Sequence, residues 1–556
     1  ASRGALIGLF IILIGLLIFE IYQKNRKEFK FKLSSIFISI LSFVFVLQYS
    51  LYTKNTELIS LNRISNLIDT SSSDRIDYYK TAIELFSENP ILGVGIGNWK
   101  IVSIKNLGSK LYDYTIPYHV HNDILQIFSE TGLIGGISFF MILMLPIIFL
   151  IKYCWDKKSL NEIAPFLLLA FVIHLLDSNL NFPRIRPFNQ MNFIFLLSFF
   201  TSQFDLKNLN KPIKIRKVSF IFIFLLFPLN ILHTKFLLSY QEIYNLHVDF
   251  NTNSNKLLAP IEIIEKYQET YPNITNTTLP IKEVKANYFL QNGDYDKALE
   301  LINKSKNINP FVGFGDYLKA KIFHSKGMKD SAFYYGEKAY LKIPKNVAHA
   351  VFYQSLLFDI KNYSRLQEVF QEVKVLKNEL IWQNHFSAVI SENNKDVNNS
   401  FSSNDKTDIK TAIILFPKNI LFKSFDLIIN QGQNASTLAI KYDITAKKYY
   451  AEKKYQDAIE YWEKASKIVV NEDSYILNIA FSYSILENYN TSLEYLKTIE
   501  FRNIKSNDGF FEFISGYNLL KLEKLKEACV YFRASNSMGY INAGDFLTQV
   551  NCQTKY

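Results

Sequence analysis

The sequence predicts an all-α protein in two parts, a bundle of membrane-spanning helices followed by a solenoid of helical repeats. Two observations carry this prediction. The first 240 of the 556 residues contain six apolar runs, most of them long enough to cross a bilayer. The remainder repeats a short motif every 34 residues, a period typical of stacked helix pairs. We therefore divide the chain into a transmembrane domain, 1–240, and a repeat domain, 241–556.

Six apolar segments are predicted to cross the membrane, and a polar loop, 52–133, separates the second from the third. The fifth segment is the shortest. Their approximate bounds are 5–22, 34–51, 134–151, 163–180, 188–204 and 218–234. No small-residue cleavage site follows the first segment, so it does not have the pattern of a signal peptide.

The net charge of +11 suggests nucleic acid as a partner, but the location of the charge argues against that class. Three short segments between the spans, 24–32, 152–158 and 205–217, carry +4, +2 and +4, whereas loop 52–133 carries −2. If the spans alternate, the three basic segments face the same side. The positive-inside rule then predicts that they are cytoplasmic, and that the loop and the repeat domain are extracytoplasmic.

The repeat domain shows its period in short motifs. GDYDKA at 293–298 recurs 34 residues later as GMKDSA at 327–332, and KYQDA at 454–458 recurs as NYNTS at 488–492. A small residue ends each motif, where the two helices of one repeat cross closely. A weaker copy contains Ala528.

This pattern resembles tetratricopeptide repeats. We assign repeats to 285–375 and 445–545, degenerate repeats to 376–444, and a loop to 392–408 within them. Such helix pairs stack into a solenoid with a concave face, which indicates a binding surface for a protein, a glycan or another acceptor, not a site of chemistry.

Loop 52–133 contains two predicted helices joined by a glycine-rich turn. The first helix covers 74–89, with one apolar face formed by Ile76, Tyr79, Ile83 and Phe86. The second begins near Asn122 and continues into the third span. The glycines between them are spaced GxGxG without a surrounding βαβ unit, which favours a tight turn beside the membrane over a dinucleotide site.

Two histidines, His119 and His121, precede the second helix. They are candidates for metal binding, for a capping or packing role, or for acid–base catalysis. A metal site would need further ligands, and the nearest candidate is Asp123, with no cysteine close by. The residues alone do not decide between these roles.

Four arginines are expected at one level of the membrane, near its outer face: Arg3, Arg75, Arg184 and Arg186. One interpretation is that they only anchor the helices at the headgroups. The other is that they surround one cavity, where forked guanidinium donors would bind the phosphate oxygens of a lipid-linked pyrophosphate.

Three motifs follow one another in the chain: Ser-Arg-Gly-Ala at the start of a span, Asn-Pro-Ile-Leu-Gly-Val-Gly after a loop helix, and His-Val-His-Asn-Asp before Glu-Thr-Gly-Leu-Ile-Gly. Together they resemble the O-antigen ligase/polymerase family over roughly 1–200. The resemblance implies a metal-independent membrane glycosyltransferase of the bacterial inner membrane, without a cofactor. Its donor would be a glycan on undecaprenyl pyrophosphate. The family normally has several spans before Ser-Arg-Gly, so we expect this chain to be part of a longer protein.

The resemblance also implies roles for individual residues. Arg3 matches the Ser-Arg-Gly arginine, and Arg75 matches the arginine at the start of the loop helix; both would stabilise charge on the departing pyrophosphate. His121 matches the histidine of the His-Asn motif and would be the general base, with His119 assisting. Arg184 and Arg186 match no motif and are kept as candidates for phosphate binding.

The acceptor is left open by the sequence. It is lipid A–core in a ligase, another lipid-linked unit in a polymerase, or a protein hydroxyl in an O-oligosaccharyltransferase. A further alternative is a membrane-anchored repeat scaffold without catalytic activity. Cys529 and Cys552 are able to pair in an oxidising compartment, but we expect two unpaired buried thiols.

Overall fold

The computed structural model describes residues 70–155, 163–203, 215–252, 259–267, 269, 273–393, 401–502, 504–505, 507–550 and 552. Within these ranges the secondary structure is helical, and the only β pairing is an isolated bridge between Ile274 and Pro280. The chain divides into two compact units. Unit 1 comprises 1–107 and 116–233, and unit 2 comprises 108–115 and 234–556.

Unit 1 begins, within the described residues, with the helices of the loop. The helices that begin in it are α1 (Thr70–Glu88), α2 (Trp99–Val102), α3 (Ile104–Leu107), α4 (Asp123–Trp155), α5 (Ala164–Leu180), α6 (Pro187–Gln203) and α7 (Ile215–Thr252). The last of these continues into unit 2. The predicted domain boundary at residue 240 falls inside this single helix and stays a prediction.

One described helix, α4, contains a stretch, Asp123–Tyr153, that is long and apolar enough to cross a membrane. Helix α5 is also apolar but shorter. The first two predicted spans, 5–22 and 34–51, lie outside the described residues, as does Arg3. The helical class is therefore observed in the described part of the chain, whereas the number of six spans stays a prediction.

Unit 2 consists largely of successive helix pairs. After α8 (Ile261–Lys266), the helices are α9 (Ile281–Gln291), α10 (Tyr295–Ser305), α11 (Phe314–Ser325), α12 (Lys329–Lys342), α13 (Val347–Asp359), α14 (Tyr363–Val373), α15 (Glu379–Asn393), α16 (Ser403–Leu415), α17 (Ile420–Ile429), α18 (Ala435–Ala451), α19 (Tyr455–Ile468), α20 (Asp473–Ile485), α21 (Tyr489–Arg502), α22 (Phe510–Lys521), α23 (Leu525–Ser537) and α24 (Ala543–Gln549).

The small residues of the 34-residue motifs occupy the positions that close helix packing requires. All are completely buried, and they are Ala298, Ala332, Ala458, Ser492 and Ala528. Each lies in the second helix of a contacting pair. A larger side chain at these positions would separate the two helices, so the repeat period reflects a packing requirement.

The degenerate stretch 376–444 is helical through most of its described length. Its predicted loop, 392–408, is too long, because α15 continues to Asn393 and α16 already begins at Ser403. Ser402 caps α16 by accepting a hydrogen bond from Asp405 N at 3.1 Å. The polar composition of this stretch predicts a loop throughout, whereas a single capping serine is enough to start the helix.

The repeats do not contact only their neighbours along the chain. Helix α21 also contacts α11 and α13. At this contact, Arg502 Nε donates to the buried carboxylate of Asp359 at 2.8 Å, and Phe501 is only 2% exposed. The solenoid therefore folds back on itself, which a simple stack of repeats does not predict.

The expectation of two unpaired cysteines was wrong. Cys529 and Cys552 form a disulfide with a Cα–Cα distance of 5.5 Å, within the usual range for such bonds. Both are buried in the core of the last helices, where Cys529 belongs to α23. The sequence could not show this pairing, because it depends on how the end of the chain returns to α23.

Unit 2 also includes a short segment of the loop, 108–115. The buried Tyr114 hydroxyl is 2.9 Å from His349 Nε2, and Asp113 Oδ1 accepts a hydrogen bond from Val347 N at 2.8 Å. Gly108 lies so close to Lys342 that an added Cβ would be 2.1 Å from its carbonyl oxygen. Residues 108–115 thus belong to unit 2, whereas the rest of the described loop belongs to unit 1.

Candidate functional site

The site begins with α1, whose buried face differs from the predicted one. Ile76 and Ile83 are about half exposed, whereas Ala82 and Leu85 are buried. Helix α1 contacts α4, and Phe86 meets Phe128 edge to face at 5.6 Å between ring centroids. Hydrophobicity alone selected the isoleucines, whereas the structure buries Ala82 and Leu85 on this helix.

The start of α4 is fixed by Asn122, as the sequence predicts. Its side-chain oxygen accepts a hydrogen bond from Leu125 N at 3.0 Å, which is the usual N-cap arrangement. The amide nitrogen of Asn122 lies 3.4 Å from Asn179 Oδ1 on α5. The residue after His121 thus fixes both the start of the helix and its contact with α5.

The glycines form a tight turn, and Gly93, Gly95 and Gly97 all have positive φ angles. The turn lies against a break in α4 at Gly132, where φ is 66° and ψ is −160°. A Cβ added to Gly93 would lie 2.3 Å from the backbone of Glu130. These residues therefore allow two backbone segments to touch, a structural function rather than nucleotide binding.

His121 has an unusual backbone and an aromatic environment. Its φ is 60°, a left-handed conformation that is uncommon for residues other than glycine. The Tyr79 hydroxyl donates to the His121 carbonyl oxygen at 3.3 Å, and the Tyr78 ring stacks on the imidazole at 6.3 Å. Strained backbone of this kind is concentrated at functional sites, where surrounding contacts maintain it.

Phe182 lies beside both histidines. Its ring centroid is 4.6 Å from that of His119 and 5.0 Å from that of His121. The Nδ1 atoms of both imidazoles are buried and make no hydrogen bond to the described residues. The site therefore presents two polar atoms in an aromatic setting that only a ligand, water or another part of the chain would satisfy.

Both histidines are held in the neutral form at neutral pH. Burial, followed by the nearby His121 and Arg184, lowers the pKa of His119 to about 4. Burial also lowers the pKa of His121 below its usual value of 6.5, with Arg75 and Arg186 acting in the same direction. A neutral imidazole is the form that accepts a proton.

Arg75 and Arg186 approach His121 from different parts of the chain. Arg75 Nη1 donates to the Leu180 carbonyl oxygen at 3.2 Å, which links α1 to the end of α5. The guanidinium of Arg186 lies 4.7 Å above the Phe182 ring. Two cations and a neutral histidine thus share one side of unit 1.

Arg184 has a different environment from Arg186. Its backbone N donates to Asp123 Oδ2 at 2.9 Å, and its guanidinium is 3.6 Å from Asp123 and 3.7 Å from Glu130. Both carboxylates are buried. These contacts attach the turn after α5 to α4, and they place the Arg184 guanidinium beside two buried carboxylates of the protein itself.

Of the predicted site residues, the structure brings together Arg75, His119, His121 and Arg186, with Arg184 adjacent. Sequence reasoning did not identify Phe182, Tyr78 or Tyr79. Phe182 precedes two selected arginines, and both tyrosines follow Arg75 within four residues. Proximity to these arginines was the available signal, but aromatic residues are too common in this chain to distinguish them.

A scan of family models matches residues 1–140 to Wzy_C, described as O-antigen ligase. This match includes Arg3, Arg75, His119 and His121. The match supports a general role in glycan transfer at a membrane. A search of curated proteins found no match to the chain.

Solved structures are similar to about half of the chain. They include the APC/C hetero-tetramer Cut9–Hcn1 (13% identity, 52% of each chain, TM-score 0.24), the TPR2AB domain of yeast Sti1 with pHSP90 (12%, 49% of this chain and 94% of that one, 0.19), and a thermophilic TPR protein of Thermus thermophilus (10%, 49% and 97%, 0.15). The chain spans only about half the length of the first. All three TM-scores are too low to support a shared overall fold. The assignment of repeats therefore depends on the helix pairs and their 34-residue period.

Proposed function

We propose that the protein transfers a glycan from a polyprenyl-pyrophosphate carrier to an acceptor hydroxyl on the outer side of the bacterial cytoplasmic membrane. The observation that supports this most strongly is the grouping of Arg75 and Arg186 around the neutral His121. A base for a hydroxyl and cations for a pyrophosphate are the groups that such a transfer needs.

In the proposed reaction, His121 accepts the proton of the acceptor hydroxyl while its oxygen attacks the anomeric carbon of the donor. The bond from this carbon to the pyrophosphate oxygen breaks, and the electron pair leaves with the carrier. Arg75 and Arg186 stabilise the negative charge of the leaving group. Arg3 joins them in this proposal through its matching motif, and Arg184 serves to hold the turn.

The placement of the site outside the cytoplasm has independent support from the opposite end of the chain. Disulfides persist in oxidising compartments and are rare in the cytosol. The Cys529–Cys552 disulfide in unit 2 is consistent with the side that the charge distribution predicts for the repeat domain. The repeat domain is then available to hold an acceptor, a glycan or a partner protein in the same compartment.

The catalytic assignment is tested with His121→Ala in cells that lack the native gene. We expect surface glycan to be lost while the variant still accumulates in the membrane, because the group that accepts the proton of the acceptor hydroxyl is removed. Lys105→Gln is a matched control, since Lys105 is an exposed loop cation whose ion pair among the described residues is with Glu88 at 3.5 Å. Normal glycan transfer by His121→Ala would refute the role of His121 as the base.

The acceptor class requires a different measurement. A gel of surface polysaccharide from the deletion strain shows single-unit caps if a polymerase has been removed. It shows no attached glycan, with polymer retained on the carrier, if a ligase has been removed. If the acceptor is a protein, glycosylated proteins lose mass while the polysaccharide pattern is unchanged.

A further inference from the structure

The glycine turn, 90–97, is attached to α4 by backbone hydrogen bonds. Leu133 N donates to the Pro90 carbonyl oxygen at 2.8 Å, and Gly95 N donates to the Glu130 carbonyl oxygen at 2.8 Å. These bonds lie on both sides of the break at Gly132, where an added Cβ would be only 2.2 Å from Ile91 O. The position of the turn along α4 is therefore fixed.

The side chains of this turn are apolar and point outward. Ile91, Leu92 and Ile96 are 65%, 74% and 78% exposed, and no charged residue occurs from Pro90 to Gly97. A single exposed isoleucine needs no explanation. Three large apolar side chains within six residues, beside glycines that add no polar side chain, form a patch that needs a partner.

The patch adjoins the apolar part of α4. Leu133 and Ile134, the first residues after the break, are 48% and 65% exposed. They begin the outward face of the helix that is long and apolar enough to cross a membrane. Because Leu133 is hydrogen-bonded to Pro90, the apolar turn lies at the level where this face begins.

We infer that the turn inserts Ile91, Leu92 and Ile96 into the outer leaflet, at the boundary between headgroups and acyl chains. The partner is the bilayer itself, and the inference depends on the proposed extracytoplasmic position of the loop. Insertion of apolar side chains at this depth is typical of segments that lie in the membrane surface. It would hold Arg75 and His121 at the level of a lipid-linked pyrophosphate.

Fluorescence in proteoliposomes tests this inference. In the full chain, Cys154→Ser removes the cysteine outside the Cys529–Cys552 disulfide. A single new cysteine, from either Leu92→Cys or Ile96→Cys, then carries an environment-sensitive label. Lipids with a nitroxide near the headgroup then report contact with the leaflet, and aqueous iodide reports contact with water. Ile541→Cys is the matched control, because Ile541 is a 90% exposed isoleucine in unit 2.

We expect both turn labels to lose on the order of half their fluorescence to the nitroxide lipids and to be protected from iodide, as in shallow insertion. The label at Ile541 should show the opposite behaviour. Quenching of the turn labels by iodide would overturn the inference. Protection from both quenchers would also overturn it, because protein and not lipid would then cover the patch. Equal lipid quenching at Ile541 would overturn it as well, because the label alone would then explain the lipid contact.

These measurements need neither donor nor turnover. Failure of the lipid contact therefore leaves the His121 experiment unaffected, and failure of the catalytic proposal leaves the fluorescence result unaffected.

Discussion

At the scale of single residues, the chemistry of the site depends on how His121 is surrounded. Its left-handed backbone, the Tyr78 and Phe182 rings and two nearby arginines all follow from tertiary packing. The same imidazole on an open surface would be partly protonated near pH 6.5. In the folded protein it stays neutral to lower pH, which keeps the proposed base available under mildly acidic conditions.

This environment leads to a prediction about pH. In the wild type, the acid limb of the transfer rate should have an apparent pKa below 6.5, since protonation inactivates the base and burial and the arginines oppose it. Arg186→Gln removes one charge that opposes protonation, so the apparent pKa of the acid limb should rise. The rate at pH 5.5 divided by the rate at pH 7.5 should therefore fall.

The ratio, not the absolute rate, is the readout, because loss of Arg186 also weakens binding of the pyrophosphate. Lys105→Gln should leave the ratio unchanged. An Arg186→Gln enzyme with the wild-type ratio would show that Arg186 does not influence the titrating group.

At the scale of elements, the junction between the glycine turn and α4 orders the site. We predict that Gly132→Ala destabilises this junction by about 1–3 kcal/mol or more, because the new Cβ meets Ile91 backbone and φ is positive. Limited proteolysis within 90–97 should become faster, and transfer should fall.

Gly97→Ala is the appropriate comparison. Its φ is also positive, at 77°, but nothing lies within 4 Å of the added Cβ. It should therefore show only the backbone strain, about 1 kcal/mol. Equal proteolysis of the two variants would argue against the close backbone contact.

At the scale of the whole molecule, the disulfide joins a helix of the last repeat pair to the end of the described chain. Removing it with Cys529→Ser should destabilise unit 2 by roughly 2–4 kcal/mol. Without the link between residues 23 positions apart, the unfolded chain has a higher conformational entropy. Thermal unfolding of the full chain, with Cys154→Ser as control, measures this change.

The same disulfide reports the compartment. Without reductant, protein taken from cells should accept a thiol reagent at Cys529 or Cys552 only after reduction. Two freely reactive thiols in the folded protein would contradict both the disulfide and the proposed location.

The contact that folds the solenoid back includes the buried ion pair of Arg502 and Asp359, and His324 Nε2 lies 3.5 Å from the same carboxylate. Arg502→Met leaves the Asp359 carboxylate without its main partner, and we expect a loss of about 3–5 kcal/mol in the free energy of unfolding. Asp359→Asn combined with Arg502→Met should recover part of the loss, because the unpaired buried carboxylate is then removed.

Chemical denaturation followed by tryptophan fluorescence measures these differences. Arg365→Gln is the matched control, since Arg365 forms a more exposed pair with Glu368 at 2.7 Å and should contribute less than about 1 kcal/mol. Similar losses for Arg502→Met and Arg365→Gln would show that the contact between α21 and α13 contributes little to stability.

The sequence by itself determined the helical class, the repeat period, the glycine turn and the start of α4 near Asn122. These are local properties, because periodicity, capping and backbone freedom act over a few residues. Only the tertiary structure decided the buried face of α1, the carboxylate contacts of Arg184, the place of Phe182 beside the histidines, the Cys529–Cys552 bond and the fold-back at Arg502. Each of these joins segments far apart in the chain, and such contacts depend on packing geometry that no local pattern encodes.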